Sequence, residues 1–144
     1  MRRLLVVLAL LAAVGAAQAS AAKLADPCVL ITTVDASTVL GSSPPKAKAQ
    51  SVAAGSLSCT YTVKKKILVV TTKHVAAKSA FVKAATSSGP AYPMHGVGAD
   101  AFSAGNGTKI LVWKNGTQIT ISFTRLNPVV STQQSLAKTA LGRL

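Results

Sequence analysis

The sequence predicts an α+β domain: an antiparallel sheet of about five strands with helices packed on it, in the order α-β-β-α-β-β-β-α. Three observations carry that expectation. In the stretch 108–124, two β-rich runs flank Asn115-Gly116. A two-residue type I′ turn needs positive φ at both central positions, and Asn and Gly tolerate that best. Over 57–63, Leu57, Cys59, Tyr61 and Val63 interleave with Ser58, Thr60 and Thr62, a period of two. The strands also follow one another through short local connections, which makes neighbours antiparallel, with helical stripes before, between and after them.

Taken in order, Asp26-Pro27 offers an N-cap acceptor followed by proline at the first helical position. Thr32-x-x-Asp35 is a capping box with Asp in place of Glu or Gln. A short turn over 28–31 and a helix over 33–40 ended by Gly41 are expected. Residues 42–56 (SSPPKAKAQSVAAGS) read as a surface loop. The strand 57–63 returns through Lys64-Lys65 into 67–72. Between 75 and 86, Ala77, Phe81, Ala84 and Ala85 follow a single helical stripe. The Gly/Pro-rich stretch 87–98 reads as irregular, with Gly96 and Gly98 permitting a tight approach to a short strand over 101–104.

Gly105-Asn106-Gly107 then turns the chain into the central hairpin. Its two-residue loop sets Lys114 opposite Thr117, Val112 opposite Ile119 and Ile110 opposite Ile121. Ile110, Val112, Ile119, Ile121 and Phe123 therefore share a core face. Lys109, Leu111, Trp113, Gln118, Thr120 and Ser122 share a mixed one. Asn127-Pro128 is expected to cap a last helix whose core stripe is Leu136, Ala140, Leu141 and Leu144.

Residues 1–22 read as a secretory signal peptide and 23–144 as a single α+β domain. Arg2 and Arg3 precede an apolar run over 4–14, and Ala17-Gln18-Ala19 fits the small-residue cleavage rule, with a second possible cut after Ala22. The run is short for a transmembrane helix, and no later segment is long and apolar enough to span a bilayer. Cys28 follows Ala25-Asp26-Pro27 instead of standing directly after the apolar run, which argues against a lipid anchor. The expected destination is secreted or periplasmic, as a soluble protein. Cys28 and Cys59, even in number and bound for an oxidising compartment, should form a disulfide.

The chain carries 16 Lys+Arg against 3 Asp+Glu. Without Arg2 and Arg3, 14 basic residues face Asp26, Asp35 and Asp100, a net charge of +11. Eight lysines fall between Lys46 and Lys83, a stretch with no acid. Such a field attracts acidic envelope polymers or anionic lipid before nucleic acid, though high charge also simply keeps a small secreted protein soluble.

Motifs of chemistry are sparse. His74 ends a strand beside Lys73, with no carboxylate nearby in the pattern to orient it as a general base. His95 lies in Met94-His95-Gly96-Val97-Gly98, a loop position better suited to binding. The two histidines stand apart from each other and from the cysteines, so no metal site is expected. No nucleophile elbow, zinc-protease helix, Walker loop or dinucleotide fingerprint is present, and no cofactor is expected. Asn106-Gly107-Thr108 and Asn115-Gly116-Thr117 match the N-glycosylation pattern, but each is explained by a hairpin turn. With 4% aromatic residues the chain is a poor base-stacking platform.

Several phrases together resemble a known family. Pro27-Cys28-x-Leu30-x-Thr32, Leu40-Gly41, Cys59-x-Tyr61, Gly96-Val97-Gly98-x-x-Ala101-Phe102 and the closing Leu136-Ala137-Lys138-x-Ala140-Leu141 recur in that order in exported and lipid-anchored bacterial envelope proteins, mostly actinobacterial, of unassigned function. The resemblance implies a Cys28–Cys59 disulfide, a sheet-and-helix domain similar to the PsbP-like fold, and no known catalytic residues. The chain departs from the family in lacking the lipid-attachment cysteine and in its basic charge.

The functional expectation is a non-enzymatic, exported binding or accessory domain at the cell envelope. Its candidate ligand contacts are Trp113 and Leu111 on the mixed hairpin face, with Tyr92 and His95 in the 87–98 stretch. The alternative is a basic secreted protein, of a defensive kind among others, that binds polyanions or membrane surfaces through Lys46, Lys48, Lys64, Lys65, Lys66 and Lys73. Another envelope protein is a third kind of partner.

Overall fold

The computed structural model describes residues 23–144 apart from Ala54, Ser88 and Ala99. The signal-peptide assignment for 1–22 lies outside the described residues.

Asp26 caps α1 (Pro27–Leu30), its Oδ1 accepting from the Cys28 N–H at 2.8 Å. The capping box forms at α2 (Thr33–Leu40): the Asp35 N–H donates to Thr32 Oγ1, while the Thr32 N–H donates to Asp35 Oδ2 at 2.8 Å. Gly41 closes the helix in the left-handed region, at φ 81°. The strands β1 (Gln50–Ala53), β2 (Ser56–Val63) and β3 (Lys66–His74) precede α3 (Lys78–Thr86). Then come β4 (Ala91–Pro93), β5 (Asp100–Ala104), β6 (Lys109–Lys114), β7 (Thr117–Thr124) and α4 (Val130–Gly142).

Among the described residues all strands join one antiparallel sheet in the order β1-β2-β3-β7-β6-β5-β4. Two meanders, β1 to β3 and β4 to β7, meet where β3 lies against β7. The architecture is α+β as expected, but the sheet has seven strands instead of about five, and the element order differs accordingly. Both additions are edge strands. β1 lies inside the segment read as a surface loop, and β4 inside the stretch read as irregular. Each is short and largely exposed, so no hydrophobic period marks it; the neighbouring strand's free backbone groups recruit it. Pro93 fits at that margin because an edge residue can do without its N–H.

The central hairpin has the expected register, with Lys114 opposite Thr117, Val112 opposite Ile119 and Ile110 opposite Ile121. Asn115 and Gly116 have φ of 50° and 79°. Ile110, Val112, Ile119, Ile121 and Phe123 enter the main core with Leu68, Val70 and Tyr61, beneath α1, α2 and α4. On α4 the buried positions are Gln133, Leu136, Ala137, Ala140 and Leu141, whereas Leu144, expected in the stripe, is 38% exposed past the helix end. Asn127-Pro128 does not cap this helix: Val129 is its N-cap, without a side-chain bond, and the Pro128 carbonyl accepts instead from Gln133 Nε2 at 3.0 Å.

The disulfide joins Cys28 on α1 to Cys59 on β2, with Cα atoms 5.3 Å apart. Around it, the Tyr61 hydroxyl donates to the Ile31 carbonyl, and Thr72 Oγ1 donates to the Ala25 carbonyl at 2.8 Å. Burial first, then the negative charges of Asp35 and Asp26, push the Tyr61 phenol up to about 12. Arg143, past the end of α4, donates to the Leu30 carbonyl at 3.1 Å and pairs with Asp35, tying the chain's last helix to its first two.

That pair makes a pH prediction. Burial works to raise the Asp35 carboxyl, but hydrogen bonds from Arg143 and from the Thr32 backbone and hydroxyl outweigh it and hold the carboxyl below its ordinary value. A carboxyl whose folded pKa is depressed stabilises the fold above its unfolded pKa. It loses that contribution as pH falls through the folded one. Asp35→Asn should therefore cost about 1 kcal/mol at neutral pH, through the weakened cap. The cost should shrink in acid, so melts of the two proteins at pH 7 and at pH 2–3 should converge at the lower pH. A gap that stays constant in acid would remove the carboxylate from the explanation.

Candidate functional site

The mixed hairpin face is partly covered. Phe81 and Ala85 of α3 pack on Ala104 and Leu111, with Phe102, Trp113 and Val82 beside them. Trp113 Nε1 donates to the Val75 carbonyl at 2.7 Å, and its ring stacks on Phe81 at 6.5 Å between centroids. That carbonyl also explains the helix boundary. Val75 continues the sheet, its N–H donating to the Gly116 carbonyl at 2.8 Å, so α3 starts only at Lys78 and Ala77 stays exposed. Trp113 and Leu111, candidate ligand contacts on the mixed hairpin face, are packing residues beneath a helix. Trp113→Ala should therefore destabilise the protein by about 2–3 kcal/mol, less than a full core truncation because the ring is only half-buried. A melt within 0.5 kcal/mol of wild type would mean that α3 does not hold that face.

Tyr92 and His95 do line a cleft. Tyr92 on β4 lies opposite Ser103 on β5. The chain then turns inward: the Met94 N–H donates to the Ala101 carbonyl at 2.9 Å, and Met94 and Val97 are buried in the main core. Gly96 and Gly98 sit at φ of 73° and 84°. A side chain at either would meet open space, so the glycines serve the backbone conformation and not the expected tight approach. The opposite wall is the start of α4. Gln133, 3% exposed, holds the two walls together: Ser103 Oγ donates to its Oε1 at 3.0 Å, and its Nε2 donates to the carbonyls of Gly107 and Pro128. At Gly107, φ is 84° and a Cβ would stand 3.3 Å from that Nε2, so both strain and space call for glycine. Gln134 Nε2 donates to the His95 carbonyl at 3.2 Å.

Two adjoining hollows result, sharing Tyr92, Ser103 and Val130. One, of about 380 Å³, is lined also by His95 and Gln134. The other, of about 500 Å³, extends past Val129 and Pro128. Tyr92, Val129 and Val130 are 63%, 66% and 64% exposed, an apolar surface with a few polar groups around it. Val129, Val130 and Gln133 are not among the residues the sequence singles out, because Asn127-Pro128 reads as a helix cap; the signal for them is Val129-Val130 at a helix start with no stripe position to fill.

The lysine set divides. Lys46 and Lys48 line a hollow beside Ser58 and Thr60. Lys73 lies on β3 opposite Ser56. Lys64 and Lys65 form the β2–β3 turn, with Lys64 at φ 54°. Lys66 turns to the other face, its Nζ donating to the Leu40 carbonyl at the end of α2, 3.3 Å away. His74 ends β3.

The geometry defines a disulfide-linked, antiparallel α+β domain with an apolar cleft beside one sheet edge. No family model, curated protein or solved structure matches the chain. Among the described residues no helix is long and apolar enough to cross a membrane, and no three His, Cys, Asp or Glu side chains gather as metal ligands.

Proposed function

We propose that this protein is a non-enzymatic, exported binding domain of the cell envelope, and that it takes its ligand in the cleft between β4 and the start of α4. The observation that carries this reading is the apolar surface of Tyr92, Val129 and Val130, held open by the buried Gln133 clamp. Exposed apolar side chains that converge on one concave surface favour contact with an apolar group of a ligand or partner. The polar rim of His95, Ser103 and Gln134 would orient it. The disulfide, the signal-like N-terminus and the resemblance to exported envelope proteins support an extracytoplasmic place of action.

The test is a fragment titration followed by backbone amide NMR. Apolar and aromatic fragments should shift resonances at Tyr92, His95, Val130 and Gln134 before any others. Val130→Lys should abolish those shifts without lowering the melt, since Val130 is exposed. Shifts scattered over the surface, or unaffected by Val130→Lys, would overturn the assignment.

A further inference from the structure

We propose that the open face of β2, β3 and β7, on the side of the sheet away from α1, α2 and α4, binds an anionic carbohydrate polymer. Lysines take its charged groups and rows of hydroxyls take its other oxygens. Alternation gives each strand two faces. One is covered by α1 and α2 over β2 and β3, and by α4 over β6. On the other, α3 contacts only β5 and β6 among the strands it packs on most. What remains is mostly Ser, Thr and Lys side chains around the half-buried Ile67 and Val69, with Ser58 and Gln118 buried among them. Register lines up the half-buried Thr71 and Thr120 in one cross-strand row that ends at the buried Ser58, and Thr60, Val69, Ser122 and Lys109 in the next, with Thr60 and Lys109 exposed. Adjacent strands lie about 4.8 Å apart, so each row presents groups at a regular interval. A repeating array suits an extended, repeating ligand.

The hydroxyl at the centre is set as a donor. Gln118 Nε2 donates to Thr120 Oγ1 at 3.0 Å, which leaves the Thr120 O–H to donate elsewhere. Gln118 itself is buried, and its Oε1 has no partner among the described residues. Charge points the same way. Lys46 and Lys48 flank the rows at Ser58 and Thr60, around a hollow of about 320 Å³. Lys73 lies opposite Gln118, and Lys109 opposite Ser122 at the far end. No carboxylate answers them: Asp26 and Asp35 cap helices on the other face, and Asp100 pairs with Lys78 at 2.7 Å. The face is therefore cationic and rich in donors, which selects acceptor-rich anions.

Two other polyanions fit less well. A membrane surface rewards an apolar wedge, and none of the exposed large apolar side chains lies on β2, β3 or β7. Single-stranded nucleic acid rewards exposed aromatics, and Trp113 is committed to Val75 and Phe81. The face is separate from the β4–α4 cleft, so either proposal stands if the other fails.

The experiment titrates the purified protein with polygalacturonate, a carboxylate polysaccharide, and with phosphomannan, a polysaccharide carrying phosphodiesters. Neutral dextran, anionic phospholipid vesicles and single-stranded DNA run alongside at the same salt. Two charge-matched triple variants are compared: Lys48→Ser, Lys73→Thr, Lys109→Thr on the face, and Lys23→Ser, Lys83→Ser, Lys138→Ser elsewhere. One of the two anionic polymers should bind, and which one separates carboxylate from phosphodiester recognition. Its affinity should fall about tenfold or more in the face variant and less than twofold in the other, with a shallower salt dependence for the face variant. Thr71→Val, which keeps charge and shape, should weaken binding severalfold. Equal losses in both triple variants would overturn the proposal in favour of net charge alone. So would tighter binding to vesicles or DNA, or polymer binding no stronger than to dextran.

Discussion

Ile119→Asp should leave the protein unfolded at neutral pH. Ile119 is fully buried on β7, opposite Val112 on β6 and Thr72 on β3, in the middle of the sheet and under the helices. A carboxylate there would face Val112 and a Thr72 hydroxyl already donated to the Ala25 carbonyl, with no cation in either cross-strand position. The effective penalty for an unpaired buried charge is several kcal/mol, and the lost isoleucine packing adds a few more. Together they approach the whole stability of a domain this size, about 5–15 kcal/mol. The escape is protonation, which gives the prediction a sign. Burial raises the carboxyl's folded pKa above its unfolded value, so the folded state binds more protons and stability falls as pH rises. Ile119→Asp should regain structure toward pH 4, while Ile119→Asn should be equally poor at both pH values. Far-ultraviolet circular dichroism of the two variants at pH 4 and 7 decides it. A cooperative wild-type-like melt for Ile119→Asp at pH 7 would mean that the central hairpin is not the core of the fold.

Removing the disulfide should have the next largest effect. Cys28 and Cys59 close a loop with a sequence separation of 31, which in the chain-entropy model stabilises the fold by about 3–4 kcal/mol. The Cys28→Ala, Cys59→Ala variant should melt on the order of 10–20 °C lower. Its loss should also be local. α1 has four residues, too short to stand alone, and depends on the disulfide, the Asp26 cap and the carbonyl contacts of Tyr61 and Arg143. Limited proteolysis should therefore cut first within residues 23–41 of the variant, before the strands. Cleavage that starts in the sheet, or a melt within a degree or two of wild type, would contradict the role given to the bond.

Much of the sheet was legible before any coordinates. Asn115-Gly116 needs positive φ at both positions, and that local demand set the register of β6 and β7 and sorted Ile110, Val112, Ile119 and Ile121 onto one face. The capping box at Thr32 and Asp35 and the stop at Gly41 were equally local, each written in residues three to nine apart. The candidate site was less legible. Tyr92 and His95 stand out in the sequence because their loop is rich in Gly and Pro, yet the other wall of their cleft comes from a helix that starts more than thirty residues later.

The sequence by itself determined the α+β class, the pairing of the two cysteines, the central hairpin and the strongly basic charge. These follow from turn stereochemistry, hydrophobic period and composition, which act between residues close in the chain or on the chain as a whole. Only the tertiary structure decided the rest. Edge strands β1 and β4 exist because β2 and β5 offer unpaired backbone groups, a demand that does not show in their own residues. Trp113 became a packing residue because α3 crosses its face and Val75 supplies a carbonyl. Lys66 parted from Lys73 because the two stand seven residues apart on β3, and an odd spacing sends a strand's side chains to opposite faces of the sheet.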